Sequence, residues 1–305
     1  MLTILAAAVS RHTGLLLDRP NARSLHRSPT PRAGGIAVCL TVALTVSASG
    51  QGISGAVPLT ALAVALISLL DDWRAQPVAL RLAVHGLAAI AAVASLFPGA
   101  WTALLVALVV VSSANLFNFM DGADGLAATM ALIGFSTLGW AALGASHQIG
   151  PIALIIAGAA GGVLLFNLPP ARVFLGDAGS IPLGFSAALL SIWGVRDSLW
   201  PAWFPVLVFL PFLLDAGATL LVRVWRREWF WQAHREHLYQ RLVLRGWTHT
   251  KLLLVVTPIM LMTCVLALLL LRVPVGLQFP AFLGACLSLA TTYGVVNIRL
   301  ARQPD

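Results

Sequence analysis

The sequence predicts an all-α protein, a polytopic transmembrane helical bundle of ten full spans with a shortened helix before them. Three observations carry this. The 305 residues are 59% hydrophobic and only 10% charged, where soluble domains carry about a quarter charged residues. Apolar runs of about 15–22 residues recur from end to end, close to the ~20 that a bilayer core demands. Stretches such as 59–70 and 101–111 are apolar on every side, which excludes the period-2 alternation of a membrane β-barrel.

The first apolar stretch, Leu2–Val9, would reach only ~12 Å at 1.5 Å per residue before Arg11 and His12 intervene. It reads as a partial first helix, and its lack of a basic leader and a cleavage site argues against a signal peptide. Full spans follow near 33–50, 56–70, 80–97, 101–117, 125–143, 151–168, 179–195, 202–222, 252–271 and 277–297. If the basic segment Arg19–Arg32 is cytoplasmic, alternation places 71–79, 118–124, 169–178, 223–251 and the C-terminus inside. The short connections 51–55, 98–100, 144–150, 196–201 and 272–276 fall outside. Of 19 Lys and Arg residues, only Arg196 and Arg272 then lie outside and Arg11 is unplaced, as the positive-inside rule requires. Residues 1–305 thus read as a single integral membrane domain with one long basic cytoplasmic loop, 223–251. Cys39, Cys264 and Cys286 lie singly in apolar runs, as buried small hydrophobes rather than a disulfide framework or metal pair.

Ionisable residues are scarce, so their placement is informative. Asp71, Asp72, Asp121, Asp124 and Asp177 fall in three inside loops and can converge on one acidic cluster, while Asp197 alone lies outside. Asp71-Asp72 closes a span, and Arg81 follows nine residues after Asp72. Adjacent carboxylates repel, and a divalent cation or cationic partner relieves them; the bland alternative is a solvated helix end. In Asn115-Leu-Phe-Asn118-Phe-Met-Asp121-Gly122-Ala-Asp124-Gly125, two asparagines at i,i+3 share a helix face before Asp-Gly pairs break the helix. Carboxylate and amide oxygens suit Mg²⁺, although Asp-Gly is also ordinary turn chemistry. In Phe174-Leu-Gly176-Asp177-Ala-Gly179-Ser180, Asp177 and Ser180 stand at a helix N-terminus, either as a structural cap or near a metal–phosphate complex. The basic loop carries His234-Arg235-Glu236-His237-Leu-Tyr239-Gln240-Arg241, with seven basic and two acidic residues over 223–251. It could hold phosphates or attract anionic lipid headgroups; zinc is disfavoured because no third or fourth soft ligand is near in sequence. Asp215 and His85, inside spans, read as interhelical polar contacts, Asp215 with Thr219. A cytoplasmic, Mg²⁺-binding carboxylate site flanked by arginines and histidines suits phosphoryl chemistry on an anionic substrate.

Together with Asp18-Arg-Pro-Asn21, Arg23-Ser-Leu-His26 and Pro29-Thr-Pro31-Arg32-Ala-Gly34-Gly35, these motifs resemble the polyprenyl-phosphate N-acetylhexosamine-1-phosphate transferases, glycosyltransferase family 4. The phospho-N-acetylmuramoyl-pentapeptide translocase is a more distant relative. The likeness runs in order from residue 18 to about residue 241. It implies a Mg²⁺-dependent phosphotransferase of the bacterial inner membrane. That enzyme would move a sugar-1-phosphate from a UDP-N-acetylhexosamine to undecaprenyl phosphate, release UMP and start a lipid-linked glycan such as O-antigen. By the resemblance, Asn118 and Asp177 are metal ligands, with Mn²⁺ a substitute for Mg²⁺, and Asp71 and Asp72 are the essential acidic pair, Asp71 the better candidate base. Asp177, His234 and His237 complete the expected catalytic set. Arg81, Arg32, Asn115, Asp124, Phe174 and Arg235 are expected to bind substrate, with Phe174 and Asp124 on the uracil. The expected partners are the UDP-sugar, undecaprenyl phosphate and membrane lipid, with a homodimer left open and no nucleic acid. His-Arg-Glu-His in place of His-x-His-His or a triple histidine argues against the pentapeptide substrate. The short first helix is the other departure. A transporter or an inactive relative is the alternative, separated by Mg²⁺-dependent UMP release.

Overall fold

The computed structural model describes residues 1–18, 29–48, 57–97, 99–229 and 234–302. Parts of the N-terminal motif, Arg19–Asn21 and Arg23–His26, lie outside the described residues, as does the connection 51–55. The chain is helical nearly throughout, in the order α1 (Leu2–Thr13), α2 (Gly34–Ala48), α3 (Val57–Trp73), α4 (Val78–Ala94), α5 (Ala100–Phe119), α6 (Leu126–Ala142), α7 (Ile149–Asn167) and α8 (Asp177–Arg196). There follow α9 (Trp203–Val208), α10 (Leu210–Trp225), α11 (Leu238–Leu244), α12 (His249–Leu270) and α13 (Val275–Arg302). Each expected span except 202–222 finds a single helix at its position, and α1 is the expected short first helix. Among the described helices, α5, α7, α8, α12 and α13 are long and apolar enough to cross a membrane.

Burial follows from position in the bundle. α6 and α8 form its centre: Leu126, Met130, Phe135 and Leu138 of α6 and Ile181, Leu183 and Phe185 of α8 have almost no exposed surface. Outer helices expose Leu59, Leu87, Trp101, Leu105 and Leu254, the reverse of a soluble surface and the arrangement that lipid tails accept. The expectation of buried cysteines holds for Cys264; Cys39 and Cys286 are half-buried.

Four details depart from the sequence reading. The span expected over 202–222 is two helices, broken at Phe209. Pro211 has no N–H for the carbonyl of Leu207, so the helix stops and restarts with proline in its first turn. The loop expected over 223–251 holds the short helix α11. A two-residue antiparallel ladder, β1 (Leu17–Asp18) with β2 (Thr30–Pro31), ties the segment after α1 to the one before α2. His85 does not make its expected interhelical hydrogen bond: both ring nitrogens are buried without a partner among the described residues.

Candidate active site

The polar groups gather at one end of the bundle, where α3, α5 and α8 present their ends to one another. The loop before α8 is seated by backbone pairing: Gly34 and Gly35 donate to the carbonyls of Phe174 and Leu175 at 2.9 Å each, and Phe174 donates to Pro31 at 2.8 Å. A Cβ on Gly35 would lie 2.2 Å from the backbone nitrogen of Gly179, so only glycine lets α2 approach α8 this closely.

Asp71 and Asp72 close α3 side by side, and successive residues on a helix point about 100° apart. They therefore reach different neighbours. The Asp72 side chain is fully buried and accepts the N–H groups of Asp177 (3.1 Å) and Ala178 (2.8 Å) in the first turn of α8. It acts as a helix cap supplied from another helix. Gly176, at φ +68, lies so close that a Cβ would meet Asp72 Oδ2 at 2.6 Å. Asp71 turns the other way: Oδ1 accepts from the Gln76 N–H at 2.7 Å and Oδ2 pairs with Arg81 at 2.5 Å. The same Arg81 nitrogen lies 3.2 Å from Asp177 Oδ2, so one guanidinium bridges two carboxylates from α3 and α8. Arg32 forms a second bridge, 2.9 Å from Asp18 and 3.5 Å from Asp72.

The end of α5 meets this corner through Ser180, whose hydroxyl donates to Asn118 Oδ1 at 2.6 Å and also lies 3.0 Å from the Gly176 carbonyl. Burial, and then the charges of Asp177 and Asp72, raise the pKa of Asp121, in the turn that follows, well above the usual carboxylate range. Asp121 belongs to the cluster, although the resemblance gave it no role; its Asp-Gly motif was the visible signal. Asn115 instead bonds back to the carbonyl of Val111 at 2.8 Å. Asp124 braces loops: Oδ2 accepts from Ala171 at 3.0 Å, and His249 Nδ1 lies 3.1 Å from Oδ1. Asn167 ties the same loops, accepting from Gly125 and donating to Val173.

The histidine segment packs on the α5 end. The His237 ring lies 5.9 Å from Phe119 and 6.0 Å from Tyr239, nearly parallel to Tyr239, and 4.9 Å from His234. Burial, then the neighbouring His234, lowers the His237 pKa to about 4, so that ring is neutral at pH 7, and burial also lowers the pKa of His234. Glu236 between them is spent on the buried Arg223 and on Arg226 at 3.5 Å. Arg235 lies between the two histidines in sequence.

Among the described residues, no three His, Cys, Asp or Glu side chains form a ready metal cage. Mg²⁺ does not require one, because it commonly takes one or two protein oxygens and completes its shell with water and phosphate. Asn118, held against the first turn of α8 by Ser180, and Asp177 of that same turn supply such oxygens, and the crowded carboxylates leave negative charge for a cation to offset, so the donor set fits.

Fold and site together define a polytopic helical membrane protein with a carboxylate–arginine centre at one end of its bundle. Residues 54–195, just under half of the chain, match the model of glycosyl transferase family 4. It is 28% identical over 261 residues to a Bacillus subtilis protein described as a probable undecaprenyl-phosphate N-acetylglucosaminyl 1-phosphate transferase, covering 79% of this chain and 73% of that one. It is 27% identical over 289 residues to the decaprenyl-phosphate N-acetylglucosaminephosphotransferase of Mycobacterium leprae, covering 78% and 72%. To the phospho-N-acetylmuramoyl-pentapeptide-transferase of Leuconostoc mesenteroides it is 34% identical over 151 residues, 49% of this chain. The chain spans about half the length of that enzyme, 47%. The family match takes in Asp71, Asp72, Arg81, Asn118, Asp121 and Asp177 and ends before the histidine segment.

Proposed function

We propose that this chain transfers a sugar-1-phosphate from a UDP-N-acetylhexosamine to undecaprenyl phosphate, starting a lipid-linked glycan such as O-antigen. A lipid phosphate oxygen attacks the sugar-bearing phosphorus of the donor, the bond between the two donor phosphates breaks, and UMP leaves. The observation that carries the reading is the Arg81 bridge between Asp71 and Asp177, beside Asn118 at the α5 end. The long alignments with the two N-acetylglucosamine-named relatives support the hexosamine over the pentapeptide substrate.

In this reading Arg81 exchanges a carboxylate for a substrate phosphate, since Arg binds either oxyanion with the same donors. Asp72 holds Asp177 in place through the first turn of α8. Asn118 and Asp177 hold Mg²⁺, or Mn²⁺ in its stead, which when bound neutralises charge on the donor phosphates. The lipid phosphate is already an anion, so Asp71 has little proton to remove and acts mainly by orienting it; attack is direct. Arg32 and Arg235 add positive charge to the site's approaches, His234 and the neutral His237 serve as hydrogen-bonding rings near the sugar, and Phe174 and Asp124 lie toward the uracil. The excess of basic residues on this side supports a site facing the cytoplasm from a bacterial inner membrane.

Purified protein given undecaprenyl phosphate, Mg²⁺ and a panel of UDP-N-acetylhexosamines should release UMP with one of them, and Asp177→Ala should not. A folded protein that binds UDP-sugar yet releases no UMP with any donor would refute the proposal.

A further inference from the structure

Asp215 sits inside α10, 7% exposed, and the reaction as proposed makes no use of it. It does not serve the Thr219 contact alone. Its Oδ1 accepts the backbone N–H of Leu238 at 2.7 Å and its Oδ2 that of Tyr239 at 3.1 Å, while the Tyr293 hydroxyl of α13 reaches Oδ1 at 3.3 Å. Leu238 and Tyr239 open α11, directly after His237. From there a second link runs on: the Tyr239 hydroxyl donates to the carbonyl of Phe119 at 2.8 Å, next to Asn118. A Cβ on Gly122 would lie 2.3 Å from that hydroxyl, so Tyr239 fills the space against the turn that carries Asp121.

We infer that Asp215 is a positioning residue that sets His237 against the Asn118–Asp121 turn, linking α10 and α13 to the reacting end of α5. The inference rests on the transferase reading. A carboxylate suits the task because its two oxygens satisfy two adjacent N–H groups and a hydroxyl together. An asparagine would turn an NH₂ toward one of those donors. In a buried place no water replaces the lost acceptor, so the α11 end must shift and carry the His237 ring with it. The pair of rings around His237 fixes its plane, and the two hydrogen-bond links fix its distance from Asn118. Displacing a catalytic group by about 1 Å can cost on the order of 100-fold in rate.

The test uses the full chain in lipid nanodiscs with Asp215→Asn, Asp215→Ala and Tyr239→Phe. Hydrogen exchange read by mass spectrometry should quicken about tenfold or more at residues 238–239 in the Asp215 variants, with peptides of α5, α6 and α8 unchanged. For UMP release, kcat should fall about tenfold or more with KM for the UDP-sugar nearly constant, because the Arg81 bridge is untouched. Tyr239→Phe keeps the side-chain volume and cuts only the second link, so it should fold even if Asp215→Ala does not, and should lower kcat several-fold. Unchanged exchange at 238–239, or faster exchange there with unchanged kcat, would overturn the inference. Equal loosening across the whole bundle would overturn it too, as would a rise in KM alone. Absence of UMP release from the unaltered protein would instead refute the transferase reading, while the exchange measurement still decides whether Asp215 holds α11.

Discussion

Replacing Asp72 by alanine should unfold the corner of the bundle before it reveals anything about chemistry. The substitution removes the acceptor of two N–H groups in the first turn of α8, at 3.1 and 2.8 Å, and puts nothing in its place. Each orphaned donor costs on the order of 1–2 kcal/mol. The Arg32 contact at 3.5 Å involves a side chain about one-third exposed and adds less than about 1 kcal/mol. The sum is a loss of about 2–5 kcal/mol. Asp71→Asn is the matched control: its amide oxygen still accepts from Gln76, and the lost pairing with the partly exposed Arg81 costs under about 1 kcal/mol. Unfolding in mixed micelles, followed by tryptophan fluorescence, gives both values, and UMP release gives the rates. Both variants should lose turnover, but only Asp72→Ala should lose stability. If Asp72→Ala matches the unaltered protein in stability, or Asp71→Asn is the more destabilised, the division of labour between the two carboxylates is wrong.

Gly176→Ala should cost about 1 kcal/mol or more and abolish turnover, because the new Cβ meets both a left-handed backbone and Asp72 Oδ2 at 2.6 Å; the same unfolding assay and UMP release check it. His237 has a folded pKa near 4 against about 6.5 unfolded. The unfolded chain therefore binds the extra proton between these values, and stability should fall as pH drops from about 6.5 to about 4. Unfolding midpoints across that range should lose this slope in His237→Phe, and a slope kept in full would contradict the assignment. Chelation with EDTA should stop UMP release and added Mg²⁺ should restore it, with Mn²⁺ also effective; release that persists in chelator would remove the metal from the proposal.

The apolar runs made the spans legible because a bilayer demands both length and composition, and both are written locally. The site was legible in its residue types for a related reason: carboxylates and asparagines in a chain with 11 acidic residues stand out wherever they fall. What each does was hidden, because that depends on neighbours distant in sequence. Asp71 and Asp72 looked like one acidic pair, yet the helical turn between them sends one to Arg81 and buries the other beneath α8. Asp124 and Asn115 read as ligand contacts, and spacing could not show that Asn115 also bonds back to Val111 or that Asp124 also meets Ala171 and His249, 47 and 125 positions away. The break at Phe209 was signalled by Pro211 but masked by the apolar run around it. Asp215 could be seen as a buried polar residue; its partners, 23 and 24 positions on, could not. Glu236, which departs from the resemblance, pairs with Arg223, a partner no spacing rule gives.

The most direct test of the central claim follows both products of a single reaction with UDP-N-acetylglucosamine labelled in the sugar-bearing phosphate, undecaprenyl phosphate and Mg²⁺. Transfer of a sugar-1-phosphate predicts UMP and a diphosphate-linked lipid that carries the label. UDP carrying the label, with a lipid holding one phosphate, would mean that the chain transfers the sugar alone, and the account built on the Asp71–Arg81–Asp177 bridge would be wrong.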